Sequence, residues 1–222
     1  MNNKLKKIKA ILFDLDGTLV LDEEAQMLAF TKTIEYFKLG NLSEEEQIKY
    51  FAHKNIAQIE EAVIELSDLN IKKGEVRKKR KEILVRLLTK ERTPCTHYAK
   101  ELVSFLSTKY PLAICSAGEK QEIMLKLKNN DLLKYFKIII SANDVERLKP
   151  FPDTYIKGAQ ELGFKTNECL VFEDSLNGLK AAKDAGATCF VIPDPNKNRE
   201  DYILADKILD SLEEGYNILK KI

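Results

Sequence analysis

Ile11-Leu12-Phe13-Asp14-Leu15-Asp16-Gly17-Thr18 decides the fold. A largely apolar run from Ile8 to Phe13 stops abruptly at two carboxylates, a glycine and a threonine. The run is bulky and partly β-branched, the pattern of a strand buried on both faces of a parallel sheet. Open α/β sheets place their sites beyond the carboxyl ends of strands, so Asp14 and Asp16 stand where a site belongs. Strand alternation lets both carboxylates point to one side while Leu15 turns back into the protein. Two acids that close need a cation between them, or one must hold a proton. Gly17 permits a tight reversal. An isolated Asp-x-Asp would be read as an acidic strand end capping a turn; the residues further along the chain change that reading.

Beyond Thr18 the pattern is helical as far as Glu91. Met27, Phe30, Ile34 and Phe37 recur at helical spacing, and Gly40 and Asn41 are expected to stop that helix. Ser43 with Glu46 reads as a capping box for the next. Ile56, Ile59, Val63 and Leu66 form a third stripe, and Ile83, Leu84, Leu87 and Leu88 a fourth. The basic run Arg77-Lys78-Lys79-Arg80-Lys81 reads as a solvated helix face. Glu75 sits four residues before Lys79, and no aromatics interleave for base stacking. Part of that face could also attract an anionic substrate.

From Pro94 strands and helices alternate: Leu112–Cys115, Ile138–Ile140, Cys169–Phe172, Thr188–Ile192 and a weaker Lys207–Leu209 are strands with helical stretches between them. The expectation is an α/β fold, a doubly wound parallel sheet formed by 1–20 and 94–222, with 21–93 inserted as a helical module. The strand ends carry Asp14 and Asp16, then Ser116, then Lys149, then Glu173 and Asp174. In a parallel sheet these ends share one edge. Acids for a hard cation, a hydroxyl donor and an amine suit phosphoryl transfer, and Mg²⁺ commonly takes one or two carboxylates plus substrate phosphate.

The same positions resemble the four motifs of the haloacid dehalogenase superfamily: Asp14-Leu15-Asp16-Gly17-Thr18; Ser116 with Ala117; Lys149-Pro150 before Pro152-Asp153; and Phe172-Glu173-Asp174-Ser175 with Gly178. Ala205 to Leu212 is similar to the family's closing segment, and the helical insert to the cap of its β-phosphoglucomutase-like branch. The resemblance implies a Rossmann-like core and a set of roles. Asp14 is the nucleophile that forms an aspartyl-phosphate. Asp16 is general acid, then general base. Ser116, Ala117 and Lys149 hold the phosphate, and Thr18 orients Asp16. Asp14, Asp174 and the backbone carbonyl of Asp16 bind Mg²⁺, with Glu173 a further candidate ligand. Asp16 favours a phosphate ester over a haloacid or phosphonate. Where many relatives have Val-Asp-Ser, this chain has Val20-Leu21-Asp22-Glu23, and Gln26 stands where the mutases carry a histidine. A phosphatase acting on a small phosphorylated metabolite is therefore the leading reading. A phosphosugar mutase and a catalytically idle binding protein on this fold are the alternatives. His53 and His97 match no motif and are both read as structural or surface residues; His53, in the cap, could also touch substrate.

The 222 residues suit one large domain plus an insert. Charge balances to net +1, so no nucleic-acid or membrane partner is expected. Cys95, Cys115, Cys169 and Cys189 lie far apart and read as reduced thiols. The basic residues 1–9 lead into no long apolar segment, so a cytoplasmic protein without signal peptide or membrane span is expected. A monomer is the default expectation.

Overall fold

The computed structural model describes residues 2–43, 45–46, 50, 56–90 and 92–221. The chain forms two compact units, Met1–Asp22 with Arg92–Ile222, and Glu23–Glu91.

The first unit is built on six parallel strands: β1 (Ala10–Phe13), β2 (Leu112–Cys115), β3 (Ile138–Ile140), β4 (Cys169–Glu173), β5 (Thr188–Val191) and β6 (Lys207–Ile208). Their order is β3-β2-β1-β4-β5-β6, so the topology reverses at β1, the point beyond whose carboxyl end open α/β sheets bind their ligands. β1 starts later than the sequence suggests. A short helix α1 (Asn2–Leu5) ends in a turn in which Ile8 N–H bonds the Leu5 carbonyl, and Ile8 joins the core from that turn.

Alternation along the strands builds two different faces. Ile11, Phe13, Leu112, Ile114, Leu170, Phe172 and Phe190 point to one side. There they meet α5 (Ala99–Ser107), α6 (Lys120–Asn129) and α9 (Leu212–Leu219). Phe13 stacks on Phe172 at 5.0 Å between centroids, and Phe172 meets Phe190 edge-on at 5.9 Å. The opposite face carries no aromatic ring among its strand residues Ala10, Leu12, Ala113, Cys115, Cys169, Val171 and Cys189. It receives α7 (Asp153–Leu162) and α8 (Leu176–Asp184). Close approach of α7 depends on Gly158, where a Cβ would lie 2.5 Å from Cys115 Sγ. Helices on both faces make the sheet doubly wound.

The second unit contains α2 (Glu23–Tyr36), α3 (Ile56–Leu66) and α4 (Glu75–Lys90). Ile34, Phe37, Leu39, Ala62, Val63, Ile71 and Val76 form its core. Ser43 and Glu46 make the reciprocal capping-box bonds. Three expectations need correction. Met27 is 65 % exposed and does not share the buried stripe. The first helix stops before Gly40: Lys38 takes a left-handed conformation (φ 62), with Lys38 N–H bonded to Glu35 O and Leu39 N–H to Ile34 O. That is a Schellman closure with a lysine in the usual glycine place. Lys79 pairs not with Glu75 but with Glu82, at 2.7 Å, because the Glu75 carboxylate turns back to accept from Lys72 N–H. Elsewhere in the basic run, Arg77 pairs with Glu60 and Arg80 with Gln26. His53 lies outside the described residues; His97 is exposed.

Candidate active site

The turn after β1 shapes the site. Asp14 N–H continues the ladder to the Phe172 carbonyl, and Gly17 N–H closes on Val20 O at 2.9 Å. Gly17 has φ 84, and a Cβ there would fall 2.3 Å from Asp174 Oδ2. The glycine is what lets this turn press against Asp174. Thr18 Oγ1 then donates to Asp174 Oδ1 at 3.1 Å, so this hydroxyl serves Asp174 rather than orienting Asp16 as the motif implied.

Lys149 is buried at the centre of one charge cluster. Its ammonium donates to Asp14 Oδ1 and, at 2.6 Å, to Glu173 Oε1. Burial alone would lower its pKa, but Asp14 and Glu173 outweigh that and hold it above the usual lysine value. Glu173, the last residue of β4, is fully buried and surrounded by donors. Tyr155 OH joins Lys149 on Oε1 at 2.7 Å. Oε2 accepts from Asp174 N–H, Ser175 N–H and Ser175 Oγ, each at 3.0 Å. Burial pushes its carboxyl up, but Lys149, Tyr155 and the backbone donors bring it below the ordinary value. Gly178 makes room for this carboxylate, since a Cβ there would overlap Oε1 at 1.7 Å.

Asp14, Glu173 and Asp174 can each bring one carboxylate oxygen within 4.8 Å of the others, the acidic group among the described residues suited to a metal ion. Burial, then the neighbouring acids, raises Asp14 well above its ordinary value, despite Lys149. Burial, then Glu173, raises Asp174 to about 7. Three carboxylates facing one ammonium leave an excess of negative charge that protons relieve in part. A hard divalent cation on oxygen ligands would relieve it further, so the donor set fits Mg²⁺. The Asp16 carboxylate lies outside this group.

Asp16 belongs to a second cluster. Ser116 Oγ, which follows β2 and accepts from Gly118 N–H at 2.9 Å, donates to Asp16 Oδ2 at 3.3 Å. The other oxygen, Oδ1, takes a 2.5 Å bond from Lys126 on α6, whose ammonium also bonds Asp22 Oδ2 at 2.5 Å. Burial, then Asp22, raises the Asp16 carboxyl, although Lys126 opposes both. Ala117 is exposed beside Ser116.

The strand ends therefore assemble two hydrogen-bonded clusters, one of Asp14, Lys149, Glu173 and Asp174 and one of Asp16 and Ser116. Lys126, Asp22 and Tyr155 are the members that the strand-end pattern does not reveal. Lys126 had a signal: it falls three residues after Ile123 and one before Leu127, a lone cation on a buried helical stripe.

A description of haloacid dehalogenase-like hydrolases matches residues 11–192. The chain belongs to that family. YhcW of Bacillus subtilis (strain 168) is 30 % identical over 93 % of each sequence. A phosphorylated carbohydrates phosphatase of Thermotoga maritima is 28 % identical over 97 % of this chain and 100 % of its own. The crystal structure of CbbY from Rhodobacter sphaeroides in complex with phosphate is similar with a TM-score of 0.78 and 26 % identity, covering 93 % of this chain and 96 % of that one. A mutant of CbbY in complex with xylulose-(1,5)bisphosphate matches equally well. As a haloacid dehalogenase-like hydrolase, this chain carries its apolar strand, acid pair and lysine on the sheet edge where the topology reverses. No helix among the described residues is long and apolar enough to cross a membrane.

Proposed function

We propose that the chain is a Mg²⁺-dependent phosphatase that hydrolyses a small phosphorylated metabolite through an aspartyl-phosphate on Asp14. The observation that carries this reading is the pairing of Asp14 with Lys149 beside Glu173 and Asp174: a carboxylate nucleophile and a fixed cation within reach of a metal-binding oxygen set. Asp14 and Asp174 would hold the metal by their carboxylates, joined by the backbone carbonyl of Asp16. Bound Mg²⁺ would keep Asp14 anionic and offset phosphate charge as the two approach. Glu173 is the framework: five donors already occupy its two oxygens, and it fixes Lys149 and Tyr155.

In the first half-reaction an Asp14 oxygen attacks phosphorus, the ester P–O bond breaks, and protonated Asp16 gives its proton to the departing alkoxide. Ser116, the Ala117 backbone and Lys149 hold the phosphoryl oxygens. In the second, Asp16 takes a proton from water, whose oxygen attacks the acyl phosphate and releases inorganic phosphate and free Asp14. Burial holds the Asp16 carboxyl above its ordinary value, against the opposing pull of Lys126, the direction that suits a general acid. The names of the Thermotoga relative and of the CbbY sugar-bisphosphate complex put phosphorylated carbohydrates first among candidate substrates. A hydrolase is preferred to a mutase because Gln26, whose amide oxygen accepts from Arg80, supplies no acid–base group. Every residue named in the chemistry lies outside Glu23–Glu91, so that unit is assigned the choice of substrate, as a cap. A cytoplasmic location suits its four free thiols.

The test is release of phosphate from 4-nitrophenyl phosphate and a panel of sugar phosphates, with and without Mg²⁺. No turnover of any phosphomonoester by folded, Mg²⁺-supplied protein would sink the reading.

A further inference from the structure

Lys126 is 1 % exposed, about as buried as Ile123 and Leu127 on the same helix, yet it carries a charge. It sits on the α6 face that presents Ile123 and Leu127 to the core. An apolar side chain would fill that stripe at less cost, because a buried ammonium is repaid only by close, well-formed partners. Its partners are Asp16 Oδ1 and Asp22 Oδ2, both at 2.5 Å. Asp22 is itself 4 % exposed.

The two oxygens of Asp16 are thereby made unequal. Oδ1 is held by the ammonium; among the described residues Oδ2 meets only the longer 3.3 Å bond from Ser116, and it lies on the Gly118 side, 3.6 Å from where a Gly118 Cβ would stand. The terminal torsion of an aspartate is broad and roughly two-fold, so without Lys126 little would distinguish the oxygens. We propose that Lys126, anchored by Asp22, is a positioning residue that pins Asp16 by Oδ1 and presents Oδ2, beside Ser116, as the oxygen that exchanges the proton. This rests on the acid–base role given to Asp16 above. Lys126 is too enclosed to touch substrate, so it acts through Asp16 alone. It carries no proton in the reaction; the proton passes between Asp16 Oδ2 and the ester oxygen or water.

The test compares 4-nitrophenyl phosphate with phenyl phosphate, substrates that differ in how much the leaving oxygen needs a proton. In Lys126→Met, kcat/KM for phenyl phosphate is expected to fall at least tenfold more than for 4-nitrophenyl phosphate, with Lys126→Arg restoring most of the wild-type ratio. A crystal structure of Lys126→Met should show the Asp16 carboxylate swung out of its bond to Ser116. If removing the charge prevents folding, Lys126→Met/Asp22→Leu, which removes the buried partner too, should show the same change of ratio. An unchanged ratio in a folded variant, an unmoved Asp16, or a double variant that still cannot fold overturns the proposal. Failure of the phosphatase reading looks different: wild-type protein would turn over neither probe, and the position of Asp16 in the variant would still decide the proposal.

Discussion

Two buried lysines each bridge two carboxylates, yet the clusters are built for different work. Lys149 joins Asp14 to Glu173 with Asp174 close by; Lys126 joins Asp16 to Asp22. In the first, three acids gather around one ammonium; burial and then the neighbouring acids push up Asp14, and burial and then Glu173 push up Asp174. That frustration suits a site completed by a cation. Around Lys126 the carboxylates number two, and the ammonium is raised because Asp16 and Asp22 together outweigh the cost of its burial. One arrangement leaves a demand for positive charge; the other fixes the direction of a single carboxylate. The same residue types therefore support binding or orientation according to how many acids share the cation.

The contrast breaks most visibly at Asp14. Asp14→Asn removes the proposed nucleophile, and turnover should fall by about 10⁴-fold or more. Acid quench with labelled substrate should trap phosphoenzyme in the wild type and none in the variant. Substantial turnover by Asp14→Asn would move the nucleophile elsewhere.

Removing the metal comes next, with a loss of about 10³-fold expected, consistent with several kcal/mol of charge stabilisation. Ca²⁺ should restore little, since its larger, looser coordination misplaces the ligands. The pH dependence follows from Asp174, raised from 3.8 to about 7. Between those values the folded, metal-free protein holds a proton that the unfolded chain has released. Metal-free stability should therefore fall as pH rises through that window, by up to ~1.4 kcal/mol per pH unit, and level off above about 7. Mg²⁺ needs the deprotonated acid, so its apparent affinity should weaken up to about tenfold per unit as pH drops below about 7. Melting curves across pH, with EDTA and with Mg²⁺, test both slopes; parallel curves would remove Asp174 from the metal site.

These clusters were unequally legible in the sequence. Lys149 announces itself because it follows a strand end and precedes Pro150, where a parallel sheet gathers its functional loops. Asp14, Ser116 and Glu173 are legible for the same reason: an apolar run breaks into polar residues. Lys126 sits inside a helix whose spacing reads as ordinary amphipathicity, and its partners lie 110 and 104 residues away. Thr18 shows the same limit, since its bond reaches Asp174 across 156 residues and depends on how tightly Gly17 turns. Helix ends failed for a local reason. Gly40 advertised a stop that the chain had already made at Lys38, in a conformation few lysines adopt. Met27 fits the periodicity of its helix and is nonetheless exposed, because spacing marks a stripe but not its edge.

Lys149→Met sharpens the comparison with Lys126. In the role proposed for it, Lys149 faces phosphoryl charge in every substrate, so activity should fall about 10²-fold for 4-nitrophenyl phosphate and phenyl phosphate alike. A loss confined to the poorer leaving group would mean that Lys149, too, acts through proton transfer, and the distinction between the clusters would collapse.

The smallest effect is expected at Tyr155. Its hydroxyl is fully buried and donates to Glu173 Oε1, while its ring lies 4.7 Å from the Lys149 ammonium. Tyr155→Phe keeps the ring and its contact with the cation and removes one donor to a charged acceptor, a change worth about 1.5–3 kcal/mol of stability. Glu173 retains Lys149, two backbone N–H groups and Ser175 Oγ, so its position should hold. Turnover should then stay within about threefold of wild type, since that hydrogen bond exists equally in ground and transition states. Denaturant melts and kcat/KM on the same preparation separate the outcomes. If stability falls while turnover persists, Glu173 is scaffold beneath the working residues. If turnover falls as far as in Lys149→Met, Glu173 tunes Asp14 and Lys149 electrostatically, and the Lys149 cluster, like that of Lys126, depends on a partner that never meets the substrate.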